Sequence, residues 1–541
     1  MIKTIEKYPI ASLSIVVLLM LLVHLDVPNV TIMEARNFIT AREMAHDNHW
    51  ILTTMNGEAR YQKPPLPTWL TAISGLIFGM NNLFALRLPA VFMVLFSGIF
   101  MYLLSLKLTL PKKQSLQNGF ILVTSFYIIA IINEAPWDIF THGFMLAGVY
   151  YIFQFFENEK NYWNKAFLAA IFVGLSFMSK GPVSFYAIFL PFLISYGITY
   201  KFKRLSTKIL PLISFVILFL IIGGWWFAYV RLADPKAFLE ITTRETANWS
   251  NYNVKPFYYY WSFFIQSGLW AIPAFISLLY PYLIKRAENK RVYKFTFWWT
   301  IIAVILLSLI PEKKPRYLVP VLIPLALNTG FYIQYLITNF SKLKRKIEIY
   351  PVYFNFLLIA LLGLILPFVL YFFLNEGIQQ HYTSYILTSI STFLIGLLII
   401  KNLFQKKIQP VFYLTILFMV AIFTFGLPIS KSFNKNEAFN SINKLHQLEK
   451  INNIKTYTIG EITPELLWDY NGILKNIYKN KELKIPIENQ FGLLLMNKDL
   501  ELILSQLKNG YNAKFIDTYN MNVGNKKKDR LIRQFYLISK K

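Results

Sequence analysis

The sequence predicts an all-α polytopic membrane protein of about thirteen spans, followed after residue 429 by a small α/β domain. Two observations carry that prediction. The 541-residue chain is 55% hydrophobic and 17% aromatic but only 15% charged, and its apolar residues come in runs long enough to cross a bilayer. Beyond Ser430 those runs give way to short, mixed segments separated by turn residues. The net charge of +27 would point to nucleic acid on a soluble protein. Here Lys and Arg sit in short loops between apolar runs, where they set membrane orientation and meet anionic headgroups, so no nucleic-acid partner is expected. The absence of cysteine excludes disulfides and thiolate metal sites.

Lys3 and Lys7 precede the first run, 9–25, and no small-residue cleavage site follows. The expectation is an uncleaved span with a cytoplasmic N-terminus. The polar loop 26–65 then lies outside. The short run 66–80 follows Pro65 and Pro67 and is expected to lie along the outer surface. Run 83–106 returns to Lys107, Lys112 and Lys113. Runs 118–132 and 139–156 flank Asp138. A hairpin, 166–178 and 182–199, carries Lys180-Gly181-Pro182 at its tip and ends at Lys201, Lys203, Arg204 and Lys208. Run 209–230, an outer loop 231–258 and run 259–284 come next. Run 295–310 leads out to Glu312-Lys313-Lys314-Pro315-Arg316-Tyr317, and runs 318–339, 351–374, 384–400 and 410–428 complete the set. The expected division is a membrane domain, 1–429, and an extracytoplasmic α/β domain, 430–541. In the latter, 455–460, 473–478, 491–496, 513–519 and 532–539 read as strands. Segments 463–470 and 499–508 read as helices, with Thr463 and Pro464 as N-cap and first helical residue.

Five cations break the charge pattern: Lys63, Lys180, Lys313, Lys314 and Arg316 fall on the expected outer side. An anionic ligand there supplies a cause, and Arg36 and Arg60 lie near Lys63 in sequence. A lysine beside Pro-Pro also suits a snorkelling interfacial residue. Lys180 interrupts apolar sequence on both sides, which is costly without a partner. Three carboxylates, Asp26, Glu34 and Asp138, border expected spans and are candidates to take a proton from a hydroxyl. Thr31-Ile32-Met33-Glu34 equally fits a capping box, and Asp138 a helix N-cap. His46, His49 and His142 show no zinc-ligand spacing.

Taken in order, these motifs resemble the lipid-linked-sugar glycosyltransferases of the protein O-mannosyltransferase superfamily, in the branch of the aminoarabinose transferases that modify lipid A. The residues are Met33-Glu34-Ala35-Arg36, Ala41-Arg42-Glu43-Met44, Trp50, Gly57 and Tyr61-Gln62-Lys63-Pro64-Pro65. They continue with Ala85-Leu86-Arg87-Leu88-Pro89, Asp138, Phe177-Met178-Ser179-Lys180-Gly181-Pro182 and Lys313-Lys314-Pro315-Arg316-Tyr317-Leu318-Val319-Pro320. The resemblance covers roughly the first 330 residues; each piece is weak alone and specific in combination. It implies a GT-C-type fold, a polyprenyl-phosphate-linked sugar donor and an inverting transfer at the outer membrane surface to a lipid, glycan or protein acceptor. It places Glu34, Asp138 and Asp26 as catalytic candidates. Lys63, Arg36, Arg60, Lys180, Lys313, Lys314 and Arg316 become the donor-phosphate ligands. The family's leading acid falls on Met33 and its Glu before Lys-Pro-Pro on Gln62, so the base is left open among the three carboxylates and no cofactor is fixed, a divalent metal being neither required nor excluded. The competing readings are a lipid-glycan transporter, a ligase or polymerase using a diphosphate donor, and an inactive scaffold. The spans carry few central charges and no repeat, which counts against the transporter.

Overall fold

A computed structural model describes residues 2–158, 160–203, 205–373, 379–433, 436–479, 482–508, 510–524 and 527–541. Arg204 of the basic loop and the last residue of the expected span 351–374 lie outside the described residues. The chain forms two compact units. One comprises Met1–Val27 and Tyr61–Ile429, the other Pro28–Arg60 and Ser430–Lys541. The sequence reading kept 26–65 with the membrane part; the contacts group 28–60 with the C-terminal residues instead.

The first unit is a multi-pass membrane protein. Among the described residues eight helices are long and apolar enough to cross a bilayer, or nine if the bent pair Lys112–Val123 and Phe126–Glu134 is one span. The expected continuous span 259–284 is broken into short helices: Phe263–Trp270, Ala271–Ser277 and Tyr280–Leu283. Gly268 sits at φ +66°, and a Cβ there would lie 2.9 Å from Phe126 Cβ, so the chain turns where only glycine fits. Pro273 and Pro281 then remove further helix donors. The 43° bend between 112–123 and 126–134 falls at Thr124 and Ser125. Their hydroxyls donate to the carbonyls of Phe120 (2.6 Å) and Ile121 (2.7 Å), a geometry that bends helices, and Trp270 Nε1 donates to Thr124 Oγ1 at 2.8 Å. The expected first span is a 13-residue helix, Pro9–Leu21, and 66–80 contains another, Leu66–Phe78. Both are shorter than a bilayer-spanning helix.

In the second unit, strands Lys475–Asn476, Thr456–Thr458, Gln490–Leu495, Ile532–Lys540 and Tyr511–Asn520 lie side by side in that order. The first two pairings are parallel and the last two antiparallel. Alternation along 490–495 puts Leu494 on one face with Phe535, Leu466, Leu467 and Ile39. Leu493 and Leu495 point to the other, against Ile503 and Leu507. Ile39 belongs to the helix Ile32–His46, which explains why 28–60 joins this unit. The side chain of Asn56 adds a clasp, with Nδ2 donating to Leu474 O and Oδ1 accepting from Leu474 N, each at 2.8 Å.

Candidate active site

One group of charged residues that the first unit brings together lies around an aromatic ring, Tyr317. Helix Pro136–Glu157 begins at Pro136, whose fixed φ suits a first helical residue, and so presents Asp138 in its first turn. Helix Tyr162–Lys180 ends at Gly181, φ +71°, a left-handed stop that leaves Lys180 in the last turn. Asp138 and Lys180 form an ion pair with side chains 2% and 9% exposed. The second Asp138 oxygen, Oδ2, has no hydrogen-bond partner among the described residues. One turn further along, His142 Nδ1 meets the Ser184 hydroxyl at 2.9 Å, both residues being buried. Lys180 Nζ stands 5.3 Å from the centre of the Tyr317 ring, within cation–π range.

Lys314 Nζ also lies 5.5 Å from the centre of that ring and 3.3 Å from its hydroxyl. Lys314 is ion-paired with Glu312 at 2.5 Å, and the Tyr317 hydroxyl also donates to Glu312 Oε1 at 3.2 Å. Arg316 acts electrostatically on both Asp138 and Lys180, and its buried Nε has no partner among the described residues. The order is therefore acid, base, ring, base, acid: Asp138, Lys180, Tyr317, Lys314, Glu312. A buried charge needs a partner, and each lysine here has one.

The 311–317 backbone is fixed by the 253–260 segment. Glu312 pairs with Val254 as an antiparallel bridge. Lys255 N donates to Pro311 O and Lys313 N to Asn253 O, each at 3.2 Å. The Tyr260 hydroxyl accepts from Lys314 N (2.9 Å) and donates to Lys314 O (3.1 Å). Lys313 points away from this cluster's chemistry. Its ammonium is buried against the carbonyls of Ile310 (2.6 Å) and Lys255 (3.1 Å), and burial holds it below the usual lysine range. Its role there is to tie the loop.

Lys63, also in the first unit, is half-buried and stands just before helix Leu66–Phe78. That helix meets the Asp138 turn through its own Thr68, whose hydroxyl accepts from Trp137 Nε1 at 3.4 Å. Its N-terminal approach is anchored by the buried Tyr61, whose hydroxyl donates to Asp234 Oδ2 at 3.0 Å. Burial, and secondarily Asp234, push the Tyr61 phenol up to about 12. Asp26 is exposed in the turn after the first helix and makes no ion pair among the described residues.

Glu34, Arg36 and Arg60 belong to the second unit. Glu34 is fully buried and closes a capping box: its Oε2 accepts from Thr31 N at 3.0 Å, and its own N–H donates to Thr31 Oγ1 at 3.2 Å. Arg36 Nη1 reaches Met33 Sδ at 3.7 Å and Arg60 Nη1 reaches Met55 Sδ at 3.8 Å. His49, read from sequence as unrelated to any metal spacing, falls with Glu43 and Asp47 into a group whose ligand atoms lie within 4.8 Å of one another. Glu43 is already occupied, accepting from Thr54 Oγ1 (2.5 Å) and Asn56 N (2.6 Å). Sequence reasoning passed over Glu312, Tyr317 and His142 as site residues. The i, i+4 spacing of Asp138 and His142 on one helix was the available signal.

A family profile described as dolichyl-phosphate-mannose-protein mannosyltransferase matches residues 62–226, the stretch that contains Lys63, Asp138 and Lys180. An uncharacterized protein of Aquifex aeolicus is 25% identical over 83% of both chains. The undecaprenyl phosphate-alpha-4-amino-4-deoxy-L-arabinose arabinosyl transferase 2 of Proteus mirabilis is 25% identical over 55% of this chain and 54% of its own. The corresponding transferase of Pseudomonas savastanoi is 26% identical over 54% and 55%. This chain's match therefore spans about half the length of those transferases. The crystal structure of ArnT from Cupriavidus metallidurans bound to undecaprenyl phosphate superposes with a TM-score of 0.67 at 14% identity, covering 97% of each chain. The chain thus shares the fold of that structure. The family match and the relatives together support a membrane glycosyltransferase resembling the aminoarabinose branch.

Proposed function

We propose that this protein transfers a sugar from a polyprenyl-phosphate donor to a hydroxyl-bearing lipid, glycan or protein acceptor at the outer face of the cytoplasmic membrane. The single observation that carries this is the self-neutralised cluster Asp138, Lys180, Tyr317, Lys314 and Glu312, with Arg316 beside it. Two ammonium groups and a guanidinium form a cradle for a phosphate at the end of apolar helices able to solvate a polyprenyl chain. As the bond between the sugar and phosphate breaks, negative charge builds on the phosphate oxygens, and preorganised cations there stabilise it most. Once a phosphate takes Lys180, Asp138 is free to accept the acceptor hydroxyl's proton. Its unpartnered Oδ2 supports that assignment. Lys63, held by Pro64 and Pro65, completes the donor site. On this reading the active site and the second unit face the extracytoplasmic side and the N-terminus the cytoplasm, an orientation that the lysine-rich loops support.

Proteoliposomes given a polyprenyl-monophosphate sugar and an acceptor test the proposal. A new glycosidic bond is expected with the monophosphate donor. Lys180→Ala is expected to cut the rate by about 10²–10³ without loss of inserted, monodisperse protein. Transfer from a diphosphate donor alone would favour a ligase, and relocation of the lipid without bond formation a transporter.

A further inference from the structure

Of the residues around Tyr317, Glu312 is the one for which the proposed transfer has no use. It is 8% exposed and faces three groups: the Lys314 ammonium, the Tyr317 hydroxyl and the Val254 backbone. A carboxylate placed against a phosphate-binding lysine has two consequences. It neutralises and orients that lysine while the site is empty, and it repels a phosphate that arrives. A phosphate arriving at Lys314 competes with the Glu312 carboxylate for the ammonium, and repulsion between the two anions favours displacement of one by the other.

The backbone makes that exchange inexpensive. Residues 311–314 are pinned by hydrogen bonds from 253–260, and Lys313 is locked into carbonyls beneath. Only the ends of two side chains must move. Lys314 keeps a cation–π neighbour as it leaves Glu312, since its Nζ already lies 4.8 Å from the Tyr252 ring, and its side chain is 21% exposed, reachable by a ligand.

We infer that Glu312 is a built-in counter-ion that occupies Lys314 until a lipid phosphate displaces it, and that it thereby sets how tightly the site holds donor and spent carrier. The inference rests on the phosphate-cradle reading above. No bond is made or broken by Glu312. It is a positioning residue, acting through Lys314, and its effect falls on binding and release.

The test uses the full-length protein in lipid nanodiscs and a polyprenyl monophosphate as probe, with binding followed by tryptophan fluorescence and transfer measured in parallel. Glu312→Gln keeps the size and the hydrogen bond to Tyr317 but removes the charge. It is expected to bind the polyprenyl phosphate on the order of tenfold more tightly. The donor KM is expected to fall with it, and kcat to fall as well because the spent carrier leaves more slowly. A Glu312 acting only as a structural brace would leave KM unchanged or raise it, and that outcome overturns the inference. Glu312→Asp, which shortens the reach to Lys314, is expected to shift affinity in the same direction by less, and decides the matter if the Gln variant does not fold. If the unaltered protein fails to bind polyprenyl phosphate at all, the cradle reading falls and this inference with it. If it binds and the Glu312 variants bind equally, only this inference falls.

Discussion

Two regions of this chain hold acids and bases and use them differently. Around Tyr317, Asp138 pairs with Lys180 of the following helix, and Lys314 pairs with Glu312 and stands against the ring that Lys180 shares. In 28–60 the charges described serve architecture, within the segment and toward the C-terminal residues. Glu34 caps the helix it starts. Glu43 gathers the hairpin hydroxyl of Thr54 and the amide of Asn56. Arg42 donates to Asn471 at 2.7 Å and lies over Trp468, its guanidinium held below the usual arginine range by burial. Charges whose partners are nearby carboxylates, amides and rings are already spent on structure. Charges held in a buried ladder, with an unpartnered Asp138 Oδ2 and Arg316 Nε at its edge, retain the capacity to meet a ligand.

That contrast can be broken by substitution. The largest effect is expected for Asp138→Asn, which removes the proposed base and unpairs Lys180. Transfer should fall by about 10²–10⁴, measured as product formed per inserted protein; a fall under threefold would assign the proton to another group. Lys63→Ala is next. Transfer should fall by about 10²–10³ while insertion and folding persist, and near-normal transfer would remove Lys63 from the cradle. Glu34 separates the two regions most directly. Glu34→Gln preserves the capping box yet deletes the carboxylate, so transfer is expected to stay within about threefold. Glu34→Ala should instead cost roughly 1 kcal/mol of stability, seen as a lower melting temperature. A collapse of transfer in the Gln variant would move the base into the 28–60 region.

The smallest effect concerns Tyr61. Its phenol ionises near 12 in the folded protein against an ordinary value of 10. The raised value favours the neutral form in the folded state, so this contribution is fully present below pH 10 and is lost as pH rises toward 12. Tyr61→Phe should lower stability by about 1 kcal/mol at pH 8, and the gap to the unaltered protein should narrow between pH 10 and 12. A gap that does not change with pH would show that the Asp234 contact contributes nothing.

Much of this was legible in the residue order. The apolar runs at 83–106, 139–156 and 318–339 each lie within a long helix, because a bilayer leaves a helix as the way to satisfy a lone segment's backbone. The short segments 491–496 and 532–539, rich in Phe, Leu, Ile and Tyr, correspond to the strands 490–495 and 532–540. Lys180, Lys314 and Arg316 were marked by sitting where positive charge is out of place. The continuous span expected at 259–284 failed because hydropathy is blind to a glycine at φ +66° whose missing Cβ makes room for Phe126, remote in sequence. Glu312 was passed over for a related reason. Beside Lys313 and Lys314 it reads as a solvated surface charge, and only the docking of 253–260 buries it.

What the sequence by itself determined is composition written along one dimension: which segments enter a membrane, which alternate into strands, and which cations have no topological reason to be where they are. Those properties follow from local hydrophobicity and period, and need no knowledge of neighbours. The tertiary structure decided which of the marked charges meet. It turned Lys313 inward to carbonyls and Lys314 outward to Glu312 although they are adjacent, and it assigned 28–60 to the C-terminal unit through Ile39 and Asn56. The reason is physical: a side chain's partner in a buried site is fixed by packing between segments distant in the chain, and that information is absent from any one of them.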